Sequence, residues 1–218
     1  MRKQTALLAV LLAAACSGPQ LPRSSRGAPV LEVRGAVKHG PFRLGRADLE
    51  ALPRRTVRGR DPSTGRLAAW EGPELAALVV DRVELTRGAD VVLVRTADRQ
   101  AVPVPLALIR QLKPVLAERA DGAPLPEPVV AWPTEEQRGL ETDPRARAWW
   151  AHGVVALELV NGYATLGRAV AVPPGAPDGA RLGADLFAAR CIACHRLRSA
   201  GGEAGPDLTR VAERMTEQ

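Results

Sequence analysis

Residues that bind metals or react with electrophiles occur together near the C-terminus. Cys191 and Cys194 are three positions apart, and His195 follows the second cysteine directly. This spacing places two thiols and an imidazole within about one helical turn. Two thiols can add to the two vinyl groups of one porphyrin while the imidazole nitrogen binds its iron. The spacing therefore predicts covalent haem c at Cys191 and Cys194, with His195 as an axial iron ligand.

Two other uses of a Cys-x-x-Cys pair fit the chain less well. If the two cysteines were half of a zinc site, two further ligands would be needed. The remaining candidates, Cys16, His39 and His152, are remote in sequence. A redox dithiol usually follows a strand in a βαβ unit. Here the motif follows a predicted helix and a proline-rich segment. The sequence therefore favours haem attachment.

The N-terminus predicts export. Arg2 and Lys3 precede an unbroken apolar run over residues 6–15, which is shorter than the roughly 20 residues needed to span a bilayer. Residues 1–15 therefore form a predicted signal peptide. Small residues lead into Cys16 in a pattern that resembles a bacterial lipobox, so we expect Cys16 to be lipidated; ordinary cleavage after Ala15 is the alternative. The predicted location is the periplasmic side of a bacterial cell envelope, with a lipid anchor.

Composition limits the partners of the protein. The 218 residues are 46% hydrophobic, with a formal net charge of +6 and a pI near 10.0. This hydrophobic content can form a core. The arginines are spread along the chain and no basic helix is interleaved with aromatic residues, so nucleic acid is not an expected partner. The positive charge favours an acidic redox partner protein.

Hydrophobic periodicity and turn residues predict an α+β protein: a mixed domain of short strands and helices, followed by an α-helical segment. We expect a flexible tether over 16–28, the mixed domain over 29–170, a proline-rich linker over 171–181 and the haem segment over 182–218. Strands are predicted at 30–37, 91–96, 102–106, 129–132 and 154–160. Helices are predicted at 46–52, 73–80, 106–112 and 182–190, and a basic loop at 54–66.

Residues 183–214 resemble the start of a class I cytochrome c domain. The resemblance rests on Gly183-Ala184-Asp185-Leu186-Phe187, the Cys-Ile-Ala-Cys-His motif, Gly201-Gly202 and Gly205-Pro206-Asp207-Leu208-Thr209. It implies that the helix containing Phe187 packs on a last helix of the chain. It also implies that Pro206 accommodates a hydrogen bond from the ring of His195.

The distal iron ligand is the point where this resemblance departs from the family pattern. The family's distal ligand is a methionine well downstream of the motif, and Met215 comes early for that role. We expect that the chain as given is truncated and that its distal ligand is missing. The alternatives are Met215, an open iron site, or ligation by His39 or His152.

Residues 31–160 resemble the molybdopterin-binding domain of sulfite-oxidase-like enzymes. The resemblance rests on Trp70-Glu71-Gly72-Pro73-Glu74-Leu75, residues 91–98, Asp121-Gly122-Ala123-Pro124-Leu125, and Trp149-Trp150 followed by 154–159. In catalytic members a cysteine before the Trp-x-Gly element binds molybdenum, but residues 56–69 contain no cysteine. The resemblance therefore implies this fold without molybdopterin chemistry. Arg54, Arg55, Arg58 and Arg60 either bind an anion or form a solvated loop.

The sequence thus predicts an exported, membrane-anchored c-type cytochrome, and it favours electron transfer over catalysis; if the protein is an enzyme, it is expected to be an oxidoreductase. Two alternatives stay open: a haem-containing molybdopterin oxidoreductase of the sulfite dehydrogenase type, and an open-site haem protein that binds a small ligand.

Overall fold

Two five-stranded sheets form the framework of the part of the chain that the computed structural model describes, residues 27–137, 139–140 and 144–215. The predicted signal peptide, Cys16 and all but the last two residues of the predicted tether lie outside the described residues. The mixed α+β class predicted from the sequence is confirmed. No helix among the described residues is long and apolar enough to cross a membrane.

The first sheet contains the predicted strands with the strongest apolar patterns. Its strand order is β2-β1-β10-β5-β6. The strands are β1 (Pro29–Gly35), β2 (Phe42–Gly45), β5 (Val91–Thr96), β6 (Ala101–Pro105) and β10 (Val154–Val160). Only β1 and β10 pair in parallel within this sheet. The β6 strand lies at an edge, as its two prolines predict, because proline cannot donate a ladder hydrogen bond.

The second sheet has the order β3-β4-β7-β8-β9, and all its pairs are antiparallel. Its strands are β3 (Arg54–Arg60), β4 (Leu67–Pro73), β7 (Val115–Ala120), β8 (Ala123–Ala131) and β9 (Ala151–His152). The tight β7–β8 hairpin turns at Asp121-Gly122, where both residues have positive φ. Its position agrees with the predicted turn.

The basic loop predicted over 54–66 is wrong, because Arg54–Arg60 is a strand. Arg54 contacts Glu71 at 2.9 Å and Glu118 at 2.7 Å, on the two strands that follow β3 in the sheet order. Arg55 contacts Glu136 at 3.2 Å. Cross-strand ion pairs therefore stabilise β3, although its arginines in the sequence alone suggest a solvent-exposed loop. These contacts leave no basis for an anion site at Arg54 and Arg55.

Buried side chains from both sheets form one continuous cluster. Tryptophans contribute two aromatic contacts to it: Trp70 packs edge-on against Trp150 with ring centroids 5.4 Å apart, and Trp132 lies 5.3 Å from Trp149. Trp132 is fully buried, and its indole N–H donates to the carbonyl of Trp149 at 2.9 Å. These contacts hold the segment of Trp149 and Trp150 firmly against the sheets.

The helices are short until the C-terminal segment. They are α1 (Arg46–Glu50), α2 (Leu106–Leu112), α3 (Pro144–Ala148), α4 (Arg168–Val170), α5 (Asp178–Arg190), π-helices Ala77–Asp81 and Tyr163–Gly167, and a 3-10 helix Val211–Glu213. The helix predicted from residue 73 begins later, because β4 continues through Pro73 by pairing with Arg54. Helix α5 begins at Asp178, inside the segment predicted as linker.

Candidate functional site

Helix α5 leads directly into the motif residues and sets their positions. Cys191 caps the helix, and the backbone N–H groups of Cys191 and Ile192 both donate to the carbonyl of Phe187. The N–H groups of Cys194 and His195 then donate to the carbonyl of Cys191 at 3.1 and 2.9 Å. One tight turn therefore holds both thiols and the imidazole. Cys191 and Cys194 are both free thiols and half-buried.

The His195 ring is oriented by a backbone contact. Its Nδ1 lies 2.9 Å from the carbonyl oxygen of Pro206. In the tautomer with hydrogen on Nδ1, this nitrogen donates to Pro206 and leaves the Nε2 lone pair available for a metal. Such a second hydrogen bond is the usual way in which a metal-binding histidine is fixed in orientation and tautomer.

Three glycines bring the following backbone into contact with the motif. A Cβ at Gly205 would lie 2.5 Å from Cε1 and 2.7 Å from Nδ1 of His195, so only glycine allows this backbone to pack on the ring. A Cβ at Gly201 or Gly202 would lie about 2 Å from the carbonyl oxygens of His195 and Ala193, respectively. The N–H groups of Gly202 and Gly205 donate to Ile192 and Cys194. The donor set and this glycine cradle fit a covalently bound haem.

The motif also forms hydrogen bonds to the edge of the first sheet. The N–H of Ala101, the first residue of β6, donates to the carbonyl of Ala193 at 2.8 Å. The N–H of Glu203 donates to the carbonyl of Arg99 at the same distance. Ile192, between the two cysteines, is only 2% exposed. These contacts fix the motif against the sheets.

Cys194 faces the turn between β5 and β6. Burial raises the pKa of the Cys194 thiol, and the negative charge of Asp98 adds to this effect. Asp98 is itself held by hydrogen bonds from Thr96 and from the side chain of Gln100. The Cys194 side of the motif is therefore the side that meets the sheets.

A groove of about 530 Å³ lies between helix α5, the motif and the first sheet. Its lining is mostly apolar and includes Cys194. Apolar residues of β6, α2 and the segment after α3 line it on one side, among them Pro103, Leu108 and Trp149. Gln100, Arg147 and Arg190 are polar lining residues. A groove of this size and composition is typical of ligand pockets.

The other residues predicted as ligands lie apart from this arrangement. Met215 follows the 3-10 helix and is 69% exposed. His39 is exposed and lies 3.7 Å from Glu84, and His152 lies 3.3 Å from the buried carboxylate of Asp61. Cys16 lies outside the described residues.

Sequence reasoning missed the contact between the motif and β6. One feature of the sequence pointed to this contact. Pro103 and Pro105 predict that β6 is an edge strand, and any backbone N–H that points outward from an edge strand needs a partner. Nothing in the sequence indicated that Ala193 would be this partner. The groove was missed for the same reason, since its two sides are far apart in the chain.

The fold and the site together define an α+β protein with a C-terminal Cys-x-x-Cys-His site of the haem-attachment type. A family model described as Cytochrome c matches residues 180–218, so this segment is similar to cytochrome c. No curated protein matches the chain in sequence.

Thirteen chains of solved structures match. One is the sulfane dehydrogenase SoxCD from Paracoccus pantotrophus, with 15% identity and a TM-score of 0.46. The alignment covers 60% of this chain and 38% of that chain. This chain therefore aligns with well under half the length of that structure.

Proposed function

We propose that this protein carries electrons through one haem c, attached covalently to Cys191 and Cys194 and bound at iron by Nε2 of His195. The observation that supports this most directly is the contact of His195 Nδ1 with the Pro206 carbonyl at 2.9 Å, because it fixes the ring and leaves the lone pair of Nε2 available for iron. The similarity of residues 180–218 to cytochrome c supports the same function.

The attachment chemistry needs both cysteines as thiols. Each thiol adds across one vinyl C=C bond: a C–S bond forms, the S–H bond breaks, and the hydrogen passes to the other vinyl carbon. No oxidant or reductant is consumed by this addition. Cys191 and Cys194 meet the requirement because neither is in a disulfide.

A bound haem supplies a one-electron couple at its iron. The residues around it set the potential of that couple through the axial ligand, hydrogen bonding and burial. His195 would provide the axial nitrogen, and Pro206 would fix its ring. Gly205 leaves room for this ring position. No residue of the chain has to make or break a substrate bond.

Met215 is a poor distal ligand in this fold, because its side chain is 69% exposed after a short 3-10 helix. We therefore expect Met215→Ala to leave the visible spectrum of the haem protein unchanged. The check is the charge-transfer band that marks methionine ligation of ferric haem. If the wild-type protein shows this band and Met215→Ala loses it, Met215 is the distal ligand.

The proposal includes a place of action and a partner. Haem is attached to such motifs outside the cytoplasm, which supports export through residues 1–15, and lipidation of Cys16 would tether the protein to the membrane. The net charge of +6 supports docking to an acidic redox protein. Molybdopterin is not expected, since residues 56–69 hold no cysteine.

Intact mass spectrometry tests this function. The full gene is expressed in a bacterium that attaches haem in its periplasm, and iron and molybdenum are measured in the purified protein. We expect one covalent haem per chain, one iron, no molybdenum, and a lipid mass that Cys16→Ser removes. Cys191→Ser/Cys194→Ser should lose the covalent haem. A folded wild-type chain without haem would overturn the proposal, and stoichiometric molybdenum would favour an oxidoreductase.

A further inference from the structure

The groove of about 530 Å³ between α5, the motif and the first sheet lies apart from the iron-binding imidazole. Neither Cys191 nor His195 is among its lining residues. We propose that this groove is a separate binding site for a small aromatic carboxylate, whose ring lies on the apolar walls and whose carboxylate binds Arg147 and Arg190. The site would bind this ligand whether or not the proposed haem is attached.

The charges around the groove favour an anionic occupant. Arg147 in α3 and Arg190 at the end of α5 both line the groove, and both are exposed. Neither arginine forms an ion pair with another described residue, and no aspartate or glutamate is among the described residues that line the groove. A guanidinium binds a carboxylate through two parallel hydrogen bonds. Two such groups from separate helices therefore match one carboxylate at the groove.

The rest of the lining favours a flat apolar body. Pro103 and Pro105 of β6 have no backbone N–H, so an apolar ring can cover both positions without burying an unpaired donor there. Leu108 of α2 adds apolar surface, and Trp149 and Trp150 add indole rings. Aromatic rings prefer offset-stacked or edge-to-face contact with another ring. An aromatic ligand therefore fits these walls better than a polar one.

The walls are held in place by contacts outside the groove. Trp149 packs on the fully buried Trp132, with ring centroids 5.3 Å apart. On the side of the motif, the N–H of Ala101 donates to the carbonyl of Ala193 at 2.8 Å. Binding to a preformed groove orders few side chains and so loses little conformational entropy. The volume also lies within the range of about 300–1,000 Å³ that is typical of small-molecule sites.

Calorimetric titration of the full-length protein with 2-naphthoate tests the site. The matched neutral compound is 2-naphthamide, which has the same ring system without the charge. We expect one 2-naphthoate to bind per chain, and 2-naphthamide to bind at least tenfold more weakly, because it cannot form charged hydrogen bonds with the two guanidinium groups. Equal affinities would overturn the assignment of a carboxylate ligand. Absence of 2-naphthoate binding to the folded protein would overturn the site.

Paired arginine variants locate the bound probe. Arg147→Gln removes a lining guanidinium, whereas Arg110→Gln makes the same change at an exposed residue of α2 outside the groove. We expect Arg147→Gln and Arg190→Gln each to weaken 2-naphthoate binding at least fivefold, and Arg110→Gln to leave it unchanged. Circular dichroism confirms that the variants fold. Equal affinities of all three folded variants would mean that the probe binds elsewhere, at the haem iron or on the general surface, and would overturn the proposal.

Discussion

At the level of single residues, the site depends on a backbone that approaches an imidazole ring closely. Gly205 lies so near His195 that any side chain there would overlap the ring. The N–H of Gly205 also donates to the carbonyl of Cys194 at 2.8 Å. The glycine therefore cannot move away from the ring without losing this hydrogen bond. Glycine is needed at position 205 because the His195 ring lies so close, and not because the backbone has a positive φ there.

The substitution Gly205→Ala tests this requirement. Its Cβ would lie 2.5 Å from Cε1 of His195, so the ring must shift and its bond to Pro206 must weaken. We expect the haem to stay covalently attached while the ferrous spectrum changes and the haem binds carbon monoxide more readily. Gly183→Ala is the control, since a Cβ there meets nothing within 4 Å. Identical spectra for the two variants would contradict the cradle.

Asp61 is a second residue of interest, because burial and nearby charge act in opposite directions on its pKa. It is 1% exposed and accepts hydrogen bonds from the backbone and hydroxyl of Ser63 and from the hydroxyl of Thr64. Burial alone would raise the pKa of Asp61, but these hydrogen bonds and the nearby His152 outweigh it and lower the pKa below its ordinary value. The ionised form is therefore favoured in the folded state.

We expect Asp61→Asn to lower the free energy of unfolding at pH 7 by about 2 kcal/mol, as for hydrogen bonds to a charged group. Because the folded pKa is depressed, the stabilisation is present above the unfolded value of about 3.9 and is lost as pH falls through the folded value. The wild-type protein and the variant should converge in acid. Urea unfolding between pH 7 and pH 3 measures this, with the exposed Asp185→Asn as control. A constant difference across that range would contradict the assignment.

At the level of elements, strand β6 links the sheets to the motif. Ala101 donates to Ala193, and Gly202 packs so closely on Ala193 that a Cβ would lie 1.9 Å from its carbonyl oxygen. Gly202 in turn donates to the carbonyl of Ile192. The position of the motif on the sheet edge therefore depends on a small residue that itself lies outside the motif.

Hydrogen exchange tests this link directly. Gly202→Ala should push the Ala193 carbonyl away from β6 and increase the exchange rate of the Ala101 amide at least tenfold. Gly179→Ala, where a Cβ meets nothing within 4 Å, should leave that rate unchanged. The measurement is NMR or mass-spectrometric exchange on the folded, haem-loaded protein. Unchanged protection of Ala101 in Gly202→Ala would mean that the contact contributes nothing to docking.

The sequence allows most of these elements to be predicted, for physical reasons that also explain the failures. Apolar strands such as β5 and β10 show their burial in their composition, and prolines reveal β6 as an edge. The β3 strand could not be predicted, because Arg54 is neutralised by carboxylates on β4 and β7, 17 and 64 positions away in sequence. The motif residues were predictable from spacing alone. Their contact with β6 was not, since it joins backbone groups that carry no residue-specific signal.

At the level of the whole molecule, the positive net charge is the property that would attract or repel a charged partner before contact. The chain has a formal net charge of +6, and Arg2 and Lys3 are the only charged residues of the predicted signal peptide. Without these two charges the chain would still be basic. Several arginines form local ion pairs, such as Arg34 with Glu32 and Arg95 with Glu158. The remaining charge acts on partners at a distance that salt limits to about 10 Å at 0.1 M.

Electron exchange with small charged reagents measures this field without the natural partner. A basic protein should attract an anionic oxidant such as ferricyanide and repel a cationic cobalt complex. We expect the rate of oxidation by ferricyanide to fall as ionic strength rises, and the rate with the cobalt complex to rise. Because both reagents take one electron from the same haem, changes in the haem itself would move both rates in the same direction. Slopes of equal sign for the two reagents would show that the charge around the haem differs from the net charge, and would remove the support for an acidic partner.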